Sequence, residues 1–102
     1  MTSSREDAFE LTIVAPATLA VAGVLSFDTA AAALRAIQSA LADRAMDHLD
    51  LAAVSRSDSA GLSCVLAVAA AAAARGRALH VTRMPAGMRA LARVCEVEDL
   101  IG

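Results

Sequence analysis

The sequence contains no lysine, no tryptophan and no tyrosine, and its only aromatic residues are Phe9 and Phe27. Without lysine there can be no Walker-type phosphate loop, which needs that side chain at the phosphates. With only two aromatics to stack on bases, and with a formal net charge of −2, the chain lacks the footprint of a nucleic-acid-binding domain. The two cysteines, Cys64 and Cys95, form no CxxC, and no metal-ligand spacing joins them to acids or to the two histidines, His48 and His80. The expectation is therefore no metal, no cofactor and two free, buried thiols.

What is present is alanine, 27 residues of 102, within a hydrophobic content of 58%. This length corresponds to one small domain. Its core must be built from Leu, Val, Ile, Met and close alanine contacts, so modest stability or support from a partner is expected. All nine basic residues are arginine. Residues 1–51 carry three of them against seven acids, and residues 52–102 carry six against four. The uncharged run 11–27 contains Pro16 and Gly23 and follows acidic residues, unlike a signal peptide. The run 59–74 is shorter than a membrane span requires. A soluble, cytoplasmic chain with no direct membrane insertion is expected.

Residues 1–7 are polar and expected to be a flexible N-terminus, leaving 8–102 as the domain. Alternation predicts strands over Phe9–Val14 and Leu19–Ser26, paired as a hairpin around Pro16. Asp28 and Thr29 are N-cap types, and Ala30, Leu34, Ile37 and Leu41 then share one helical face, ending near Asp43. "HLDLAAVS" suits a strand covered on both faces. From Ser59 a helix runs to Arg75, with Leu62, Val65, Leu66, Ala69 and Ala73 inward and Gly76 ending it. "ALHVTRM" predicts a fourth strand. Pro85 opens a third helix with Met88, Leu91, Ala92 and Cys95 on its buried face, and Leu100 and Ile101 close the chain as a tail that can pack back. The order β-β-α-β-α-β-α implies an α/β single domain, a four-stranded mixed sheet with about three helices.

The stretch "RSDSAGLSCVL", residues 56–66, joins the third strand to the second helix, the edge of an open α/β sheet where ligands and partners bind. Ser59 sits at or beside the N-cap, so it can cap the helix, as can Asp58. The same helix N-terminus would stabilise a phosphate on Ser59, and a neutral Ser59 could hydrogen-bond a docking protein across the small residues Ala60 and Gly61. Neither histidine is placed to serve Ser59 as a base: His48 starts the third strand at the opposite end, and His80 lies in the fourth. There is no GxSxG elbow. Catalysis is not expected.

"LAAVSRSDSAGLSCVLAVAAAAAARGRALHV" resembles the signature of the STAS domain, the fold shared by sulfate-transporter tails and anti-sigma-factor antagonists: strand, Asp-Ser-small-Gly-Leu turn, helix, glycine break, returning strand. "VAGVLSFDTAAAAL" resembles the family's earlier strand-turn-helix, and "PAGMRALARVCEVEDLIG" its closing helix and tail. Within the family the chain is most similar to the MlaB type, a small cytoplasmic subunit of the Mla phospholipid ABC transporter. The resemblance implies a STAS-like fold and a non-catalytic subunit that binds the transporter's ATPase, peripheral to the inner membrane through that complex. It implies a docking surface of Arg56, Asp58, Ser59, Ala60, Gly61, Leu62, Ser63 and Ala67. The alternative branch, the anti-sigma-factor antagonists, implies phosphorylation of Ser59 by a partner kinase. That branch more often has a second serine where this chain has Ala60.

Overall fold

The structure is a computed structural model that describes residues 8–15, 17–43, 46–97 and 99. The expected flexible segment 1–7 and the tail residues Leu100 and Ile101 lie outside the described residues. The elements are β1 (Phe9–Ala15), β2 (Thr18–Leu25), α1 (Ala30–Asp43), β3 (His48–Ser57), α2 (Ser59–Ala74), β4 (His80–Thr82) and α3 (Ala86–Val94). One sheet runs in the order β1-β2-β3-β4. β1 and β2 form the antiparallel hairpin, and β2–β3 and β3–β4 are parallel, as helical crossovers require.

Among the described residues, one buried cluster joins the sheet to the three helices. Leu19, Val21, Leu49 and Leu51 from the sheet meet Ile37 and Leu41 of α1, Leu62, Val65 and Val68 of α2, and Met88 and Ala92 of α3. The α1 face appears as its periodicity predicts, with Ala33 taking a place in the core and Leu34 at its margin. Thr29 does not cap through an exposed side chain. It is buried, its hydroxyl donating to Val24 O at 2.8 Å and accepting from Ser26 N–H at 2.9 Å, which staples the end of β2 to the start of α1.

Four expectations are corrected by the packing. β3 is covered on both faces only at Leu49, Asp50 and Leu51, after which Ala52, Ala53, Ser55 and Arg56 are exposed. Asp50 points away from Leu49 and Leu51 and is closed in by Arg83, whose Nε donates to Asp50 Oδ1 at 3.2 Å and whose Nη2 donates to Oδ2, while Ala52 N–H donates at 2.9 Å. β4 is shorter than "ALHVTRM" because Arg83 takes φ 52, which ends the strand. In α2, Ala73 is exposed while Cys64 and Val68 are buried; six consecutive alanines, 69–74, mark no face of their own. Cys95 is exposed rather than buried, because α3 stops at Val94 and Cys95 is its C-cap. The chain turns there at Glu96 (φ 59), and Val97 packs on the core instead.

Gly76 ends α2 as its sequence position predicts. Its φ is 73, its N–H donates to Ala73 O at 2.9 Å, and Arg77 N–H donates to Ala72 O at 2.9 Å. This is the paired bonding of a Schellman cap. Among the described residues, no helix is long and apolar enough to cross a membrane.

Candidate functional site

The turn from β3 into α2 is organised by Asp58, not by Ser59. Asp58 is the N-cap, in extended conformation at φ −140, and its Oδ1 accepts from Ala60 N–H at 2.9 Å and Gly61 N–H at 3.2 Å. Its second oxygen accepts from Phe27 N–H at 3.1 Å, in the β2–α1 turn. These bonds, with Phe27 the largest contributor and Gly61 and Ala60 next, hold the Asp58 carboxyl below its usual pKa. A carboxylate on three backbone N–H groups also complements the positive end of the helix.

Because Asp58 fills the cap, Ser59 becomes the first helical residue. It is exposed, and its hydroxyl makes no hydrogen bond with any described residue. The expectation that Ser59 caps α2 is thus replaced: residue types allowed both, and the extended backbone at Asp58 decided between them.

Gly61 serves packing. A Cβ there would lie 2.2 Å from Leu25 O, so only glycine lets α2 begin against the end of β2. Leu62, 3% exposed, is a core residue. Gly61 and Leu62 therefore do not belong to an outward surface, contrary to the expectation for them. Arg56, Asp58, Ser59 and Ser63 are exposed, and Ala60 and Ala67 are half-buried. One surface brings the last two together with Ser63.

That surface is an open groove of about 480 Å³ between the N-terminal halves of α1 and α2. Ala60, Ser63, Cys64 and Ala67 form one wall, and Ala30, Ala31 and Leu34 form the other. Phe27 stands at its end, 82% exposed. The α1 wall and Phe27 were not among the sequence candidates. The signal available was Phe27 itself, one of only two aromatics, lying in a turn with no strand or helix period to carry it inward.

The chemistry of the groove is apolar contact fringed by hydroxyls. Neither histidine is near: His48 and Ser57 are the two ends of β3, nine steps or about 30 Å apart. Ser59 thus has no imidazole base. Cys64 is buried, and burial pushes its thiol pKa up, away from the reactive thiolate.

A family model described as "Mlab, STAS domain" matches residues 13–102. The chain belongs to the STAS domain family, and within it to the MlaB-like type. Solved structures agree on the fold. This STAS domain superposes with a TM-score of 0.69 on the anti-sigma factor antagonist SpoIIAA in its unphosphorylated form, at 18% identity, covering 91% of this chain and 84% of that one. It superposes with a TM-score of 0.66 on the Bacillus cell fate determinant SpoIIAA in the phosphorylated form, at 20% identity, covering 91% of this chain and 87% of that one. None of the curated proteins compared with the sequence matches it. The STAS fold places the Asp58–Ser59 turn and the Phe27 turn side by side on one end of the domain, at the carboxyl ends of β3 and β2.

Proposed function

We propose that this STAS domain is a non-catalytic subunit that binds and supports the ATPase of an ABC transporter for phospholipid. It docks through the groove between α1 and α2, with Phe27 as apolar anchor and Ser59 as hydrogen-bonding contact. The observation that carries the reading is an 82%-exposed phenylalanine whose backbone N–H is held by Asp58, the same carboxylate that caps α2 and leaves the hydroxyl of the exposed, first helical residue Ser59 unengaged. Aromatic residues, phenylalanine among them, are enriched at interface cores, and the family model's MlaB-type description supports a transporter partner. The domain itself then sits in the cytoplasm, peripheral to the membrane through its partner. Purification of the chain from its native host tests this: co-purification of a transporter ATPase, reduced by Ser59→Glu, is expected. Recovery of a sigma-regulating kinase in its place overturns it.

A second reading is favoured by the likeness to both forms of SpoIIAA. In it the domain is an anti-sigma-factor antagonist, and Ser59 is phosphorylated by a partner kinase. An exposed hydroxyl on the first residue of a helix is well placed for a phosphate, which the helix N-terminus stabilises. Intact mass of the chain isolated from its own host decides. One added phosphate on Ser59 supports this reading, and unmodified protein across growth conditions removes it.

A further inference from the structure

The other end of β3 carries a second cluster that the docking reading leaves unused. His48 and His80 are direct register partners at the start of the β3–β4 pairing, and their ring centroids lie 5.1 Å apart with the planes inclined by 34°. Asp47 Oδ1 lies 2.7 Å from His48 Nδ1. Nδ1 of His48 is engaged by the Asp47 carboxylate, so Nε2 is the ring nitrogen of His48 left for a ligand.

A carboxylate on one ring nitrogen is the arrangement that fixes tautomer and orientation in metal-binding histidines. With Zn–N bonds of about 2.0–2.1 Å, two imidazoles sharing a tetrahedral cation have ring centroids about 5 Å apart. His80 is exposed, so its ring can turn about its soft χ2 toward the held His48 ring without disturbing the core.

We propose that His48 and His80 form an open two-imidazole site for a late first-row divalent cation, Zn2+ first, with Asp47 orienting His48. Imidazole nitrogen selects such cations over Mg2+ and Ca2+, which prefer oxygen. Among the described residues no group of three His, Cys, Asp or Glu side chains forms a metal cage. Water therefore completes the coordination, and the site is exchangeable rather than structural. The cation ties β4 to β3 where they share only three register pairs, and so stabilises the folded state by mass action. It lies at the end of β3 remote from Ser59, so metal binding and docking are independent.

The test is calorimetric titration of the untagged full chain with ZnCl2, and with MgCl2 as control. One Zn2+ per chain with micromolar saturation, a raised Tm, and ring 15N shifts at both histidines are expected. His48→Gln and His80→Gln should each abolish the saturable binding while circular dichroism stays unchanged. Asp47→Asn should weaken it roughly tenfold or more. Absence of saturation below millimolar Zn2+, an equal response to Mg2+, one cation per two chains, or undiminished binding by His80→Gln would each overturn the proposal.

Discussion

Phe27 and Asp58, 31 residues apart in the chain, are joined by a single hydrogen bond of 3.1 Å from the Phe27 N–H to the Asp58 carboxylate. The same side chain caps α2 through Ala60 and Gly61. Asp58 therefore sets the relative position of the two turns that make the candidate docking end. Asp58→Ala should lower Tm and weaken partner binding together, whereas Asp58→Ser, which restores only a cap acceptor, should recover stability more than affinity. Thermal unfolding and a binding isotherm on the same samples check the split.

Phe27→Ala separates affinity from folding. The side chain is 82% exposed, so its removal should change unfolding free energy by no more than about 0.5 kcal/mol. As an interface anchor it should cost about 2 kcal/mol or more of binding. Partner affinity unchanged by Phe27→Ala would remove the groove end from the interface.

Gly61→Ala should do the reverse. Its new Cβ would meet Leu25 O at 2.2 Å, and backbone cannot yield as a flexible side chain can. Overpacking of this kind costs about 1–3 kcal/mol, read as a shift in the denaturant midpoint.

Acid stability follows from carboxylates whose folded pKa is lowered. Asp58 is lowered by backbone N–H groups, Phe27 first, and Asp50 by Arg83 first. A lowered folded pKa means the stabilisation is complete above the unfolded value, about 3.9, and is lost as pH falls through the folded value. Stability should therefore fall as pH drops below about 4. Asp50→Asn, which keeps one acceptor but loses the charge, should flatten part of that decline in acid titrations followed by circular dichroism.

The two thiols should react at different rates. Cys95 is exposed, while Cys64 is 3% exposed with its pKa raised by burial. A thiol reagent should label one cysteine rapidly in the folded chain and the second only on unfolding. Rapid labelling of both would contradict the packing of α2.

Much of this architecture was legible in residue order because it rests on local chemistry. Alternation marked the β1–β2 hairpin, the spacing of Ala30, Leu34, Ile37 and Leu41 marked α1, alanine propensity carried α2, and Gly76 stopped it where a left-handed residue was needed. The candidate site was legible in part for the same reason: a polar turn before a helix announces a cap and an accessible end. What tertiary structure alone decided involves residues far apart in the chain. Phe27 meets Asp58 across 31 positions, which ties the β2–α1 turn to the residue that caps α2. Gly61 faces inward because β2 ends against it, and His48 meets His80 through strand register. Local propensity depends on a few neighbouring residues and is written in their types, whereas these pairings depend on how whole strands and helices pack.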